Sequence, residues 1–272
     1  MNMDWNHPDV YQYEKKIPLK IPCYNMMYDM MDRLLTVGLD KETANVMVVG
    51  AGGGQELVTL AKRHPNWSFT GVDPSANMLR LARKRLELAG IQLQADLVEG
   101  EVQQLECGFQ YDAATCMLVL HFVRHKLEFL QQIASRLADG APFFIAAIQG
   151  DMTSETFKWQ MCAWKEHMLA GGISEQEWES FSASIGSRSH PVPTSEVEDL
   201  LGKAGFTNVT RFFSAYVIDG WFAVKGGANN EETYCRDRRV RSCRRPNLPE
   251  ARGKISGPRV CCRKKSGSRR TF

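Results

Sequence analysis

The sequence predicts an α/β fold: a seven-stranded, mostly parallel sheet with an antiparallel terminal hairpin, helices on both faces and a helical lid insert. From Val46 onward, short apolar runs alternate with amphipathic segments, the pattern of parallel strands joined by crossover helices. The last two apolar runs lie too close together for a helical crossover. They therefore predict an antiparallel hairpin at one edge of the sheet.

Residues 1–45 precede the sheet and are predicted to form an N-terminal helical lid segment. Within them, Tyr24 to Leu35 is Met-rich and amphipathic, and we expect Met26, Met27, Met30 and Met31 to pack rather than to bind a partner. The first residues, MNMDWNHPDVYQYEKK, have no apolar run behind a basic start, and no apolar run in the chain reaches membrane-spanning length. We therefore expect a cytoplasmic protein that does not bind membranes.

The sheet and its helices are predicted to fill residues 46–228. The expected strands are Val46 to Val49, Trp67 to Val72, Gln92 to Val98, Tyr111 to Met117, Ala141 to Ile148, Asn208 to Phe213 and Ala215 to Val224. The expected helices between them are Gln55 to Arg63, Ala76 to Ala89, Lys126 to Leu137 and Ser195 to Ala204. Ser75 is predicted to cap the second of these helices, Ser195 and Glu198 to form a capping box, and Gly205 to end the fourth.

The strand pattern breaks between Gln149 and Thr194. Two helical stretches, Ser154 to Leu169 and Ser174 to Ser184, fill this gap. We interpret residues 150–194 as a helical insert that covers the carboxyl ends of the strands. Trp159, Trp164, His167 and Trp178 lie in it, and they are expected to form helix core rather than to grip an aromatic acceptor.

The basic residues are concentrated in residues 229–272. This tail carries 14 Lys and Arg against 4 Asp and Glu, so that residues 1–228 have a net charge of −7 although the whole chain is +3. The tail has no apolar periodicity and is predicted to be disordered. Three interpretations stay open: an RNA-binding arm, a metal or disulfide module, and a stretch without selected structure. The last is favoured because the arginine runs lack aromatic residues and the tail's cysteines form no CxxC pair.

Four cysteines lie in the body of the chain, at Cys23, Cys107, Cys116 and Cys162. Their scattered positions do not predict a disulfide framework or a metal site. We expect them to be buried free thiols in a reducing compartment.

The stretch VMVVGAGGGQE runs from an expected strand into a glycine cluster at the start of an expected helix. A P-loop needs GxxxxGK, and a dinucleotide fingerprint needs a third glycine where Gln55 stands. The spacing that fits is GxGxG at Gly50, Gly52 and Gly54. Such a bare turn lets an uncharged end of a ligand approach the backbone at a helix N-terminus.

Four motifs in order resemble one family. GxGxG after the first strand, the acid in TGVDP, the acid in EGE and the apolar run MLVLHFV resemble the class I S-adenosylmethionine-dependent methyltransferases over about Pro22 to Gly226. The resemblance implies a Rossmann-like methyltransferase domain at residues 46–228, S-adenosyl-L-methionine as cofactor and methylation of an acceptor. Since the body is acidic, we expect a small-molecule acceptor and nucleic-acid binding, if any, only through the basic tail. A homodimer is one expectation for its assembly.

The resemblance also assigns cofactor contacts residue by residue. The turn Gly50, Ala51, Gly52, Gly53, Gly54 would face the methionine part, and Asp73 would accept hydrogen bonds from both ribose hydroxyls. The remaining contacts would be Glu101 and Val102 at the adenine edge, Pro74 and Met78 against its ring, and Met117 and Leu118 beneath the sulfonium. The family often has an acidic residue two positions before the first glycine, where this chain has Val48.

A finer resemblance lies in IPCYNMMYDMMDRLL, HFV and TSEVEDLLGKAGF. These segments are similar to the branch that contains the carboxy-S-adenosylmethionine synthase of tRNA wobble-uridine modification. The resemblance implies that Tyr24 closes over the cofactor. Arg188 is the candidate in the insert for the arginine that this branch uses for the extra carboxylate. Ordinary methyl transfer remains the leading hypothesis, with the synthase and a non-catalytic cofactor- or RNA-binding protein as alternatives.

His121 follows the fourth strand and is the candidate catalytic residue, as a general base for a hydroxyl or amine acceptor. It would also serve as a wall of the cofactor pocket. His121 and His125 have the spacing of a helical metal pair, but no third ligand is evident, so we expect no metal.

Overall fold

Strands and helices alternate along the chain as the apolar pattern predicts. The computed structural model describes residues 10–106 and 108–227, with side chains from residue 15 onward. Its strands are β1 (Asn45–Val49), β2 (Ser68–Asp73), β3 (Ala95–Glu99), β4 (Ala113–Met117), β5 (Pro142–Ile148), β6 (Phe206–Ala215) and β7 (Ile218–Lys225). Its α-helices are α1 (Val10–Lys20), α2 (Tyr24–Leu39), α3 (Gln55–Arg63), α4 (Ala76–Leu88), α5 (Lys126–Ser135), α6 (Glu155–Ala170), α7 (Glu175–Ser182) and α8 (Thr194–Lys203). The predictions for the basic tail and for Cys107 lie outside the described residues.

All seven strands form one sheet in the order β3-β2-β1-β4-β5-β7-β6. The pairs among β1 to β5 are parallel, whereas β7 pairs antiparallel with both β5 and β6. The predicted α/β fold and its terminal hairpin are therefore confirmed. Because β1 and β4 are neighbours whose connections run to opposite sides, their carboxyl ends form a topological switch point, where α/β sheets bind ligands.

Helices cover both faces of the sheet. On the first face, which carries the side chains of Val46 and Val48, the core includes buried residues of α2, α3, α4, α6 and α7. On the second face, which carries Met47 and Val49, it includes buried residues of α5 and α8. Alternate residues of β1 thus enter two different cores, so that its side chains are buried on both sides.

The α8 terminus differs from the sequence prediction. The helix begins at Thr194 after Pro193, and Ser195 lies inside it, so the predicted capping box of Ser195 and Glu198 is wrong. The proline fixes the backbone at the start, and the Thr194 hydroxyl donates to buried Asp219 Oδ2 at 2.9 Å. The other two helix-end predictions are confirmed: Ser75 Oγ caps α4 by accepting the Met78 N–H at 3.2 Å, and Gly205 follows α8 with φ +91°.

Several segments depart from the predicted elements. Ala215 was expected to begin the last strand, but it ends β6, and β7 begins only at Ile218. Gln92–Gln94 is a 3₁₀ turn, not the start of a strand, and β3 begins only at Ala95. The alternation of apolar and polar residues predicted a strand from Gln92, but the Leu93 side chain is 96% exposed instead of buried. The helix α1 was not predicted, since its sequence VYQYEKKIPLK contains Pro18 in its last turns.

The insert lies at the carboxyl edge of the sheet. The Gln160 side chain of α6 donates to the carbonyl of Tyr216, at 2.9 Å, in the turn between β6 and β7. That turn stands beside the carboxyl end of β5, because Ile148 pairs with Ile218. Helix α1 contacts α2, α4 and α6.

Aromatic residues join the insert helices to α1. Trp164 and Trp178 are buried with ring centroids 6.4 Å apart, and the Trp164 indole donates to the carbonyl of Lys20 at 2.6 Å. Both tryptophans form helix core, as predicted. Trp159 does not, because its side chain is 76% exposed.

The body cysteines are less buried than predicted. Cys116, inside β4, is a buried free thiol, but Cys23 and Cys162 are exposed. Cys23 precedes the first turn of α2 and Cys162 lies on the outer side of α6, where no neighbouring layer covers them. On α2, Met27 and Met31 are fully buried as expected, whereas Met26 is exposed.

No helix within residues 10–106 and 108–227 combines the length and the hydropathy that crossing a bilayer requires.

Candidate functional site

The glycine turn lies between β1 and α3. Gly50, Gly52 and Gly54 have φ of +70°, +51° and +79°, values that favour glycine. The N–H groups of Gly50 and Ala51 both donate to the carbonyl of Val72, at 2.8 and 3.1 Å, which fastens the turn to β2. The GxGxG spacing is therefore required by the backbone conformation.

Asp73 ends β2 and holds the same turn. Its Oδ2 accepts the Gly52 N–H and its Oδ1 accepts the Ser75 N–H, both at 2.9 Å. Burial raises the pKa of Asp73, and these two hydrogen bonds oppose the rise. Each carboxylate oxygen has a further lone pair that can accept a ligand hydroxyl.

The other predicted contacts gather at the same edge. Because β3, β2, β1 and β4 are adjacent and parallel, their carboxyl ends bring together the glycine turn, Asp73, Glu101, Val102, Met117 and Leu118. Glu101 is exposed, and its Oε2 accepts the Gln103 amide at 3.0 Å. Val102 and Met117 are buried, and Leu118 has a left-handed φ of +63°.

Pro74 and Met78 flank Asp73 and the first turn of α4. Pro74 is exposed and Met78 is buried. A Cβ added to Gly52 would lie 3.3 Å from the Met78 methyl group, so the thioether side chain packs directly on the turn.

Tyr24 lies at the start of α2, in the core of the first face. Its ring is 4.9 Å from that of Tyr28, edge to face. Burial first, and then the charge of Glu56, raise the pKa of Tyr24 to about 12. The Tyr24 hydroxyl is therefore neutral at neutral pH.

His121 is poorly suited to act as a base. It lies in a 3₁₀ turn after β4 with 4% of its surface exposed, and its Nδ1 accepts the Ile148 N–H at 3.2 Å. Burial, and then the charge of Lys126, lower its pKa to about 3. His125 is outside that turn at the start of α5, so the two histidines do not share a helix face. The described residues hold no cluster of three or more metal-ligating side chains.

Glu56 is the functional candidate that sequence reasoning missed. It is the second residue of α3 and only 5% exposed. Its Oε1 is buried without a hydrogen-bond partner among the described residues, as is Thr115 Oγ1. Burial raises the pKa of Glu56 to about 7, against a smaller opposing effect of the Thr115 hydroxyl. The available indication was an acid on the stripe of α3 that also carries Leu57, Leu60 and Ala61.

A separate open cleft of about 450 Å³ lies at the amino end of β1. Lys41, Asn45 and Asp112 line it. It is at the opposite end of the strands from the glycine turn, and the turn residues take no part in it.

A family model described as "Methyltransferase domain" matches residues 47–143, from β1 to the start of β5. That segment contains the glycine turn, Asp73 and the ends of β3 and β4. Residues 47–143 thus match a methyltransferase domain, in agreement with the class I S-adenosylmethionine-dependent family expected from the sequence. The family and the S-adenosyl-L-methionine cofactor expected from the sequence are therefore confirmed.

Curated relatives of this methyltransferase have different activities. The carboxy-S-adenosyl-L-methionine synthase of Campylobacter hominis is 24% identical over 205 residues, 74% of this chain and 85% of the relative. The ubiquinone biosynthesis O-methyltransferase of Aeromonas salmonicida is 30% identical over 103 residues, 38% of this chain and 42% of the relative. These names differ in the reaction, so they do not by themselves identify the acceptor.

A solved structure shows the same fold. The plantazolicin methyltransferase BpumL, crystallised with a substrate analogue and SAH, superposes with a TM-score of 0.61 at 14% identity, covering 81% of this chain and 91% of that one. At this identity the likeness concerns the fold alone.

The pH dependence of stability tests the environment of His121. A histidine with a pKa of about 6.5 when unfolded and about 3 when folded binds its proton mainly in the unfolded state. Its neutral form therefore stabilises the fold above pH 6.5, and this contribution is lost as the pH falls toward 3. From pH 7 to 5 we expect His121 to lower the unfolding free energy by about 2 kcal/mol.

The matched variant for this test is His121→Asn, which keeps an acceptor for the Ile148 N–H without the titration. Urea unfolding at pH 7 and 5 should show a smaller loss in the variant, by about 2 kcal/mol. Equal losses in the two proteins would show that His121 has the same pKa in the folded and unfolded states, and that it titrates near neutral pH as a general base should.

Proposed function

We propose that this chain transfers a methyl group from S-adenosyl-L-methionine to a small-molecule acceptor. The observation that carries the proposal is the link between Asp73 and Gly52 at the switch point. Here a strand-terminal carboxylate and a bare turn at a helix N-terminus share one hydrogen bond. A ligand with a ribose and a flexible chain fits such a pair, because the carboxylate accepts hydroxyls and the turn leaves room beside the backbone.

Different residues contact different parts of the cofactor. The turn Gly50–Gly54 takes the methionine part, and Asp73 takes the ribose hydroxyls. Glu101 and Val102 lie at the adenine edge, Pro74 and Met78 against the adenine ring, and Met117 and Leu118 beneath the sulfonium. Tyr24 closes the site from α2. The burial of Met78, Val102 and Met117 supports these positions, since flat apolar groups bind against such side chains.

When bound, S-adenosyl-L-methionine supplies a methyl group already activated by its sulfonium. The protein's contribution is then to align the acceptor with that methyl group and to exclude water. No fixed base is needed for an acceptor that is already nucleophilic. We assign His121 to the pocket wall, because its ring is neutral at neutral pH and its Nδ1 already accepts the Ile148 N–H.

The helical cover supports a small acceptor. Helices α1, α6 and α7 meet at the carboxyl edge, where Lys16 of α1 pairs with Glu177 of α7 at 2.7 Å. Residues 1–228 carry a net charge of −7, which repels nucleic acid. We also propose three parts of the chain. Residues 1–45 form a lid, residues 46–228 form the catalytic domain with the insert at 150–194, and residues 229–272 form a basic tail. A homodimer, RNA binding by the tail and a cytoplasmic location stay predictions.

Methyl transfer is tested with S-adenosyl-L-methionine that carries an isotopically labelled methyl group. The protein is incubated with it and with an extract of small metabolites, and products that gain one labelled methyl are identified by mass spectrometry. We expect at least one labelled product, absent from a reaction with Asp73→Ala. No product in any extract, with cofactor bound to the protein, would contradict the proposal.

The synthase activity is the second candidate, because the Campylobacter hominis relative aligns over 85% of its length. It requires prephenate as the source of the extra carboxyl group. Incubation with prephenate would then yield a cofactor heavier by one carboxyl group. We expect none, since Arg188, the candidate for binding that carboxylate, lies on an exposed turn after α7.

A further inference from the structure

The first face of the sheet lacks an acid where β1 reaches the glycine turn. Val48 is fully buried there, and it pairs in register with Thr115 of β4. Paired residues of neighbouring strands point to the same face. The Thr115 hydroxyl therefore lies beside Val48, on the face that α2 and α3 cover.

The carboxylate that reaches this place comes from α3. Glu56 follows the glycine turn by two residues, and its side chain lies near the Thr115 hydroxyl. It is also close enough to Tyr24 of α2 and Cys116 of β4 for its charge to raise their pKa values. Glu56 thus stands between the start of the proposed lid helix, the glycine turn and the end of β4.

One oxygen of the Glu56 carboxylate accepts no hydrogen bond, and no basic side chain among the described residues affects its pKa. Glu56 Oε1 and Thr115 Oγ1 are both buried and without hydrogen-bond partners among the described residues. Among those residues no basic side chain contributes to the pKa of Glu56. A buried carboxyl group in this state is costly, and a cationic ligand would relieve the cost.

We propose that Glu56, with the Thr115 hydroxyl beside it, binds the ammonium group of the cofactor's methionine chain, in place of the acid absent at Val48. The inference rests on the proposed function, because it concerns the same cofactor. Glu56 is a positioning residue: by fixing the chain end against the turn, it orients the methyl-bearing sulfur without touching the acceptor.

The test compares two ligands that differ in the amino-acid chain, whose ammonium group Glu56 would hold. S-adenosylhomocysteine carries the ammonium-bearing chain, whereas 5′-methylthioadenosine keeps the adenosine and lacks that chain. Calorimetry at pH 8 measures both affinities in the full chain, in Glu56→Gln and in Glu87→Gln, a charge-neutralising control at an exposed site on α4. In Glu56→Gln we expect S-adenosylhomocysteine to bind about 10- to 100-fold more weakly and methylthioadenosine to bind as before.

A pH series gives a second readout. The proposed ion pair needs ionised Glu56, so wild-type affinity for S-adenosylhomocysteine should fall from pH 8 to 6, while that of Glu56→Gln stays level. The titratable groups that face Glu56 are Tyr24 from α2 and Cys116 from β4, and burial keeps both protonated over this range.

Each outcome is distinct. Equal losses for both ligands would overturn the inference, because Glu56 would then support the fold and not the chain end, and circular dichroism melts of Glu56→Gln would show the same defect. Unchanged affinity for both ligands would overturn it while leaving the proposed function intact. If the wild-type protein bound neither ligand, the proposed function would fail and the inference with it. Thr115→Val provides a second variant. We expect it to weaken the binding of S-adenosylhomocysteine but not of methylthioadenosine, by a smaller factor than Glu56→Gln does.

Discussion

Replacing Asp73 with alanine is expected to weaken S-adenosylhomocysteine binding by at least about 100-fold. The wild-type carboxylate would accept both ribose hydroxyls, and each hydrogen bond to a charged group contributes about 1.5–3 kcal/mol. The same change removes the acceptor of the Gly52 and Ser75 N–H groups, so the turn itself becomes less fixed. Calorimetric titration of the purified variant measures the loss.

The control for this variant is Asp96→Ala, which removes an exposed carboxylate from β3 and leaves the switch point untouched. It should bind like the wild type. Urea unfolding of Asp73→Ala should show a stability loss of about 1–3 kcal/mol, small enough for the fold to persist. A folded Asp73→Ala protein with wild-type affinity would show that the ribose lies elsewhere.

Gly54→Ala is expected to be the most destabilising single methyl addition in the glycine turn. With φ at +79°, an L-residue costs about 1–2 kcal/mol. The added Cβ would also lie 2.8 Å from both Cα and Cβ of Ala82, in the backbone of α4, which cannot swing aside as a flexible side chain can. Overpacking of this kind adds about 1–3 kcal/mol, so the unfolding free energy should fall by about 2–5 kcal/mol.

Gly90→Ala separates the two costs. Gly90 has a similar φ of +71°, but no atom lies within 4 Å of an added Cβ. Its replacement should therefore cost only the conformational part, about 1–2 kcal/mol at most. Equal losses at Gly54 and Gly90, measured by denaturant unfolding, would contradict the close approach of α4 to the turn.

The parts of the fold that the sequence predicts well are those set by local pattern. Helix α3 has the predicted bounds, and β1 and β5 differ from theirs by one residue, because an apolar run bounded by turn residues has few alternatives. The terminal hairpin was predicted from the short gap between Phe213 and Ala215, although in the structure the turn lies two residues later, between Ala215 and Ile218. The glycine turn was recognised because its three positive φ values leave little choice of residue.

The parts that were missed depend on contacts distant in sequence. Leu93 completes an alternating pattern but points to solvent, and Cys162 lies on an uncovered helix surface. At the start of α8, the Thr194 hydroxyl donates to Asp219, a buried acid on a strand that follows the helix in the chain. Glu56 was not singled out, because its burial and the Thr115 hydroxyl near it depend on the strands that α3 covers, where Val48 pairs with Thr115. No periodicity encodes that pairing.

The central claim is that the carboxyl edge around Asp73 and Gly52 holds S-adenosyl-L-methionine. The most direct measurement is to saturate the purified protein with this cofactor, remove the excess by gel filtration, denature the protein and identify the released molecule by mass spectrometry. We predict one S-adenosyl-L-methionine, or its demethylated product, per chain from the wild type and from Asp96→Ala, and none from Asp73→Ala. A wild-type protein that releases neither molecule, or an Asp73→Ala protein that releases as much as the wild type, would contradict the account.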